Sequence, residues 1–450
     1  MNRLSQLGAA AGLLGLCLFL WALSPAFLTG SNLLNVLLQS SLNGVLAVGM
    51  TLVILTGGID LSVGSVLAAS GVVVGLILQA GASPVVAVLG GLAAGIGCGL
   101  ANGLLITRAD LPPFIVTLGM MSAARGLALV WSGDRPISGF DEAFRLIASG
   151  PGLIGINIVV YGIAFVLLTR TALGRYVYAV GGNEQAAWLS GVPTRFVKIF
   201  VYGVAGALSA VAAVMLDARL NSAQPIAGVN YELDAIAAVV IGGTSLSGGE
   251  GSVVGTLIGV LIMSVLRNGL NLLSVSADMQ QVIIGVVIVV AVLVDRLRLA
   301  PPRWLARLQP ARVGLAAAGL MIVLLGTAWS WRLHQGTSGG IRLAVVPKTL
   351  NNPFWVDLVE AAQKAGVAHH ADIIVQAAEL ETDSEQQMRL IENLIQKHVS
   401  ALIVAPAGSK EIVPAIKEAN DAGIPVLIID TRVDEPTLKA AGAHIETFIG

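Results

Sequence analysis

The stretch DRLRLAPPRWLARLQPARVGLAAAGLMIVLLGTAWSWRLHQGTSGG, residues 295–340, divides this chain into two unlike halves. It opens on Arg296, Arg298, Arg303, Arg307 and Arg312, broken by Pro301, Pro302 and Pro310, with no lysine and no acid after Asp295. Short loops rich in Lys and Arg beside membrane spans stay on the cytoplasmic side, so the uncharged run that follows, Val313 to Trp331, reads as an outward crossing. Its 19 residues, at a rise of about 1.5 Å each, just cover a hydrocarbon core of about 30 Å. Everything after Arg332 is then expected outside the membrane. His334 to Gly340 reads as a short flexible link to whatever lies there.

Composition agrees with a mostly membrane-embedded chain. Of 450 residues 55% are hydrophobic and only 12% charged, with mean hydropathy +0.83, whereas soluble domains carry about 25% charge. A net charge of −1 and the lack of a basic tract away from the membrane spans exclude a nucleic-acid partner. Cys17 and Cys98 both sit in apolar runs, where a thiol behaves as a small hydrophobe, so they supply neither a disulfide framework nor a metal site. Leu7 to Leu28 is longer than the apolar core of a signal peptide, and another apolar run follows at once. It reads as a retained anchor.

From the N-terminus the apolar segments are Leu7 to Leu28, Asn32 to Leu55, Leu61 to Gln79, Pro84 to Ile106, Pro113 to Trp131 and Gly152 to Thr169. Six crossings that start inside at Arg3 return the chain inside at Arg170. The loop found there carries Arg170, Arg175, Arg195 and Lys198 against the single acid Glu184, as the positive-inside rule requires. Val197 to Met215 crosses outward, Asp217 to Asp234 reads as a polar outer loop, and Ala235 to Gly243 is too short to span as a helix. Ser252 to Leu273 and Met279 to Val294 complete ten segments and deliver the chain inside, at the arginine cluster.

The short segment ends in Gly242, Gly243, Thr244, Ser245, Leu246, Ser247. The same G-G-x-x-L-S pattern occurs at Gly57, Gly58, Ile59, Asp60, Leu61, Ser62, again at an inner turn, so a parallel internal repeat is one reading and coincidence the other. Irregular backbone at membrane depth is tolerated where protein or water surrounds it. Asp60, Ser62, Gly242, Gly243 and Ser245 are therefore the candidate pathway residues. Asp60 reads first as an N-cap for a helix opening at Leu61 and second as a proton-relay carboxylate. Arg125 and Arg267 fall inside apolar runs, at a cost of at least about 2.5 kcal/mol each at mid-bilayer. They read first as snorkelling or interface-paired and second as pathway contacts.

After residue 340 the periodicity changes. Ile341 to Val346, Asp372 to Gln376, Ala401 to Ala405 and Pro425 to Ile429 are short buried-type strands, and Pro353 to Ala368, Ser384 to Lys397 and Lys410 to Ala422 are helical. This alternation predicts a parallel sheet with right-handed crossovers, whose ligand edge lies at the strands' carboxyl ends. Just past those ends come Asn352, Phe354, Trp355, Asp430 and Arg432, with Asn351, Glu379 and Asp383 nearby. Amides, carboxylates and flat rings suit a sugar, although Asn-Pro alone also starts a helix and Phe354 with Trp355 could be core.

These residues carry a resemblance. TGGIDLSVGS (56–65), the stretch from Leu173, Gly174 and Arg175 through Gly181, Gly182, Asn183 and Glu184 to Ser190 and Gly191, and the run from Ser222 to Asn271 resemble ribose-type ABC importer permeases across residues 1–298. Residues 341–450 resemble the first lobe of ribose-type sugar-binding proteins through Asn351 to Phe354 and Ser384 to Gln387. The implied fold is an all-α polytopic membrane domain (1–298), then an Arg/Pro loop, an eleventh transmembrane helix and a linker (299–340), and an α/β periplasmic-binding-protein lobe (341–450). Such permeases usually end near Leu299 and use a separate binding protein. This lobe reaches Gly450 after strand-like Thr447 to Ile449, where the second lobe would begin, so it is expected to be incomplete.

The resemblance implies the membrane subunit of an importer for a ribose-like monosaccharide in a bacterial inner membrane. The N-terminus would lie in the cytoplasm and the lobe outside. Partners would be a second permease copy, a cytosolic ABC ATPase and a soluble sugar-binding protein. Gly174, Arg175, Gly181, Gly182, Asn183, Glu184, Ser190 and Gly191 would form the loop that docks on the ATPase. The chain has no G-x-x-x-x-G-K-[ST] sequence, so ATP would be used by the partner and the chain would hold no cofactor of its own. The alternative is a sugar sensor or a non-transporting remnant whose outer lobe binds a partner protein. A secondary transporter is disfavoured because the spans show no convincing carboxylate relay.

Overall fold

The computed structural model describes residues 3–299 and 341–450. Arg303, Arg307 and Arg312, the eleventh apolar run Val313 to Trp331 and the link at 334–340 lie outside the described residues.

The first stretch is helical: α1 (Arg3–Leu23), α2 (Gly30–Leu55), α3 (Val63–Gln79), α4 (Pro84–Arg108), α5 (Pro113–Ser132), β1 (Ile137–Ser138), α6 (Glu142–Arg145), α7 (Gly150–Arg170), α8 (Ala172–Gly182), α9 (Glu184–Leu189), α10 (Thr194–Leu220), β2 (Ser222–Ala223), α11 (Tyr231–Ile241), α12 (Val253–Leu272) and α13 (Ala277–Leu299). Among the described residues α2, α4, α5, α7, α10 and α12 are long and apolar enough to cross a membrane. The shorter apolar helices at Gly8–Leu23, Val63–Gln79 and Met279–Leu293, together with α11, account for the rest of the ten segments expected. The lobe follows as β3 (Arg342–Val346), α14 (Pro353–Ala368), β4 (Asp372–Val375), α15 (Ser384–Gln396), β5 (Ala401–Val404), α16 (Val413–Asp421), β6 (Val426–Ile429), α17 (Glu435–Ala440) and β7 (Thr447–Ile449). The chain forms two compact units, Met1–Leu16 with Val36–Ser264 and Cys17–Asn35 with Val265–Gly450.

In the first unit α4 and α10 pack along their lengths, and glycines allow the approach. A Cβ at Gly95 would strike the carbonyl oxygen of Gly206, one at Gly99 the carbonyl of Tyr202, and one at Gly103 would lie 2.7 Å from the α-carbon of Ile199. Glycines spaced four apart on α4 form one helical stripe, the usual means by which membrane helices bring backbones together without a hydrophobic driving force. The connections after α5 and α10 are pinned by β1 and β2, antiparallel with Ile137 opposite Ala223. They are also pinned by Arg125 on α5, whose Nη1 donates to the carbonyls of Pro225 and Ala227, both at 2.7 Å. The paired reading of Arg125 is thus the observed one.

Two boundaries differ from the expectation. α10 continues through Asp217, expected in an outer loop, and ends only at Asn221, which takes the left-handed conformation at φ 53°. The Asp217 carboxylate is buried, and Gly71 on α3 leaves the space it occupies. α3 opens at Val63 rather than Leu61, because Asp60 Oδ1 accepts from both the N–H of Ser62 (2.8 Å) and its hydroxyl (2.6 Å), closing a turn before the helix begins.

In the second unit Asn32 and Asn268 exchange amide hydrogen bonds, 3.0 Å each way, joining the first turn of α2 to α12. The lobe's sheet is wholly parallel in the order β4-β3-β5-β6-β7. β3 sits at the point where the chain reverses direction across the sheet, so the crevice for a ligand lies at the carboxyl ends beside it. α14 occupies the expected range. Asn352 Oδ1 caps it through the N–H of Phe354, and Pro353 stands at its first position, where no N–H is needed. α16 begins at Val413 instead of Lys410, with Pro414 in its first turn.

Candidate functional site

The candidate residues fall into three groups. The first is the segment after α7, expected to lie on the inner side. Gly174 is buried because a side chain there would strike the carbonyl of Leu167, so α8 folds back tightly on α7. Asn183 Oδ1 accepts from the N–H of Ala186 at 2.8 Å and opens α9, and Gly191 closes the loop at φ 87°. Arg175, Gly182, Asn183, Glu184, Ser190 and Gly191 are exposed. Trp188 and Leu189 are exposed as well, at 64% and 73%. Both fall within the stretch Arg175 to Gly191 expected to dock on the ATPase, although Trp188 was not singled out from the sequence. A cleft of about 1090 Å³ beside α9 is bordered by Arg108, Asp110, Trp188, Arg195, Phe196 and Lys198. Lys198 is paired with Glu184 at 2.5 Å.

The second group holds the pathway candidates, which the fold brings into two neighbouring turns. α2 and α11 end identically. The N–H of Gly57 donates to Ile54 and that of Gly58 to Val53, while Gly243 donates to Val240 and Thr244 to Val239. Gly57 and Gly243 take the left-handed conformation this ending needs, at φ 77° and 88°. The two caps are alike in the backbone, but Gly57 corresponds to Gly243, one residue out of step with the written pattern. Beyond the caps the register returns: Ser245 Oγ accepts from the N–H of Ser247 at 3.2 Å as Asp60 does from Ser62. Gly242 lies against the backbone of Gly255 on α12.

Around Asp60 the protein adds residues that the sequence reading missed. Asn102 on α4 donates to the Ser62 hydroxyl at 3.0 Å, and Thr117 on α5 donates to the carbonyl of Ile59 at 3.2 Å. Tyr202 on α10 is buried with its hydroxyl against Gly58. Polar side chains inside long apolar runs were the signal for them. Asp60 therefore belongs to a buried hydrogen-bonded cluster of three segments, the turn before α3, α4 and α5, with Tyr202 of α10 packed against it.

The third group is the carboxyl edge of the lobe's sheet. Asn352 Nδ2 and the Trp355 indole N–H both donate to Glu381 Oε1, at 2.9 and 3.3 Å. Phe354 is exposed and meets Trp355 edge-to-face, with ring centroids 4.9 Å apart. Trp355 is only 3% exposed, so it braces the edge from beneath. Asp430 follows β6 and is paired with Lys348, which follows β3. Arg432 turns away onto the Phe448 ring at 4.8 Å. The edge thus gathers Asn352, Phe354 and Asp430, with Lys348 and Glu381 as members the sequence reading did not single out.

Apolar helices of spanning length followed by a parallel α/β lobe define a multi-pass membrane permease that carries a binding-protein domain. The chain belongs to the family described as the permease component of the branched-chain amino acid transport system, which matches residues 32–292, and residues 343–447 match a periplasmic binding protein domain. It is 49% identical over 300 residues to the ribose import permease protein RbsC of Bacillus subtilis (strain 168), covering 65% of this chain and 93% of that one. It is 40% identical over 284 residues to the D-allose transport system permease protein AlsC of Escherichia coli (strain K12), covering 61% and 87%. A periplasmic solute binding protein from Actinobacillus succinogenes 130z, solved with bound D-allose, is 36% identical and covers 24% of this chain and 38% of that one, with a TM-score of 0.24. The chain is a multi-pass inner-membrane protein of the sugar-permease type with a binding-protein domain fused behind it.

Proposed function

We propose that this chain is the membrane-spanning subunit of an ATP-driven importer for a ribose-like monosaccharide, working as a homodimer with two copies of a cytosolic ATPase. The observation that carries the reading is the segment α8–α9, set between two spans. Its tight fold against α7 leaves Trp188 and Leu189 uncovered beside a charged cleft. Large apolar side chains surrounded by charge, outside any lipid-facing helix, suit a protein partner. Likeness to a ribose permease over most of that protein's length supports the choice of partner and cargo.

The basic inner loop supports a cytoplasmic N-terminus and an outer position for the lobe. There Asn352 and Asp430, with Lys348 and Glu381, offer donors and acceptors for sugar hydroxyls, and Phe354 offers a ring face. ATP is hydrolysed by the partner, and a soluble sugar-binding protein can supply the opposite half of a two-sided clamp. The test is to purify the tagged full chain with its genomic neighbour ATPase and to titrate the complex with labelled ribose, allose and arabinose. Co-purification and saturable sugar binding support the reading. A chain that binds sugar but never retains an ATPase indicates a sensor instead.

A further inference from the structure

The hydroxyl of Tyr178 on α8 donates to the carbonyl of Gly251 at 3.0 Å. Gly251 closes the turn that follows α11, and in that same turn the N–H of Gly249 donates to the carbonyl of Leu55 at the end of α2, also at 3.0 Å. Gly181, at the far end of α8, completes the junction: a side chain there would strike both the Leu55 carbonyl and the Gly249 nitrogen. Gly248 stands equally close, and a Cβ on it would come within 2.8 Å of the Gly57 nitrogen and 2.9 Å of the Gly181 carbonyl oxygen. Three chain segments therefore meet backbone to backbone.

Such a junction has mechanical meaning. Where side chains separate two segments, a rotamer change absorbs a small displacement; where backbones touch, the displacement passes on. α2 and α11 end in similar caps, and the end of α2 at Leu55 and the turn that follows the α11 cap, at Gly248, Gly249 and Gly251, meet α8, which leads into the exposed helix α9. Burial pushes the Tyr178 phenol up, so it remains a neutral donor at physiological pH.

We propose that Tyr178 and Gly181 are the positioning residues that transmit movement of the α8–α9 segment to the inner ends of α2 and α11 together, so that one docking event moves both turns. The inference rests on the importer reading and specifies how the docked partner works the membrane helices. It assigns Tyr178 a role that its half-buried position on a loop helix does not suggest.

The experiment uses the full chain with its ATPase and binding protein in proteoliposomes, comparing Tyr178→Phe, Gly181→Ala and, as control, Gly97→Ala on α4, where an added Cβ meets nothing within 4 Å. The readout is sugar transported per ATP hydrolysed, with ATPase retention measured alongside. Tyr178→Phe is expected to lower that ratio by about three- to tenfold, the weight of one hydrogen bond, with ATPase retention unchanged, and Gly181→Ala to lower it further. Gly97→Ala is expected to match the parent. A ratio unchanged in Tyr178→Phe overturns the proposal, and so does uptake that falls only in proportion to ATP hydrolysis. Tyr178→Phe decides the matter if Gly181→Ala fails to fold. Amide exchange in the peptide containing Gly249 gives a readout independent of uptake. ATPase binding is expected to slow it in the parent and to leave it unchanged in Tyr178→Phe, whereas equal slowing in both contradicts the junction. If the parent complex moves no sugar, the importer reading fails, and the exchange measurement still judges the junction.

Discussion

The ammonium of Lys348 lies 2.8 Å from Asp430 Oδ2, and it also donates to the Thr431 hydroxyl at 2.7 Å. Lys348 follows β3 and Asp430 follows β6, with β5 between them in the sheet, so this pair bridges the carboxyl edge over a third strand. Asp430 takes φ 64°, a conformation that aspartate tolerates better than most residues, and the ion pair helps to hold it there.

That pair has a pH signature. The hydrogen bond from Lys348 holds the Asp430 carboxyl below its ordinary value of 3.8. A carboxyl whose pKa is lower folded than unfolded adds stability above the unfolded pKa and loses it as pH falls through the folded one. Thermal melting of the full chain should therefore be indifferent to this pair between pH 7 and 5. Below about pH 4 the parent should lose an increment that Lys348→Met never had. Asp430 is partly exposed, so the difference should stay under about 1 kcal/mol. Equal acid sensitivity of the two proteins would contradict it.

Substitutions along α4 and α10 should separate glycines that contact backbone from those that do not. A Cβ on Gly206 would strike the carbonyl of Gly95, which cannot swing aside, so Gly206→Ala should cost about 1–3 kcal/mol. Gly97→Ala meets nothing within 4 Å and should be neutral or slightly stabilising. Melting in detergent compares them directly.

Arg125→Ala removes the donor shared by the Pro225 and Ala227 carbonyls. Charged hydrogen bonds of this kind contribute about 1.5–3 kcal/mol. The loop between β2 and α11 should become the first site of limited proteolysis, while cleavage in the α8–α9 segment stays unchanged.

Trp188→Glu and Leu189→Glu place charge where the account places an apolar contact. Each should weaken ATPase retention by at least about tenfold. Because both side chains are exposed, the melting temperature of the isolated chain should not move. A parallel loss of stability would make them structural residues instead.

Much of the fold was legible because local signals and tertiary demands coincide. Asn352 and Pro353 mark the start of α14 as written, and the apolar β-branched runs became β3 to β6, with Thr447 to Ile449 as β7. The sequence misled where a polar residue is buried for reasons set elsewhere in the chain. Asp217 reads as the start of a loop, yet it is helical because Gly71, far away in sequence, makes room for it. The paired G-G-x-x-L-S turns were visible, but their one-residue offset emerges only from the hydrogen bonds of the two caps. Lys348 and Glu381 escaped notice because the sheet order, not their local context, brings them to the carboxyl edge of the sheet. The junction of Gly181 with Leu55 and Gly249 has no signature at all in a single sequence, since glycine spacing within one segment says nothing of the segment it touches.

The measurement that bears most directly on the central claim is ATP-dependent uptake of labelled ribose into proteoliposomes holding the full chain and its ATPase, with and without added soluble binding protein. The account predicts uptake that requires ATP, is competed by related monosaccharides and is abolished by Trp188→Glu. An assembled complex that hydrolyses ATP yet moves no monosaccharide under any of these conditions would contradict it.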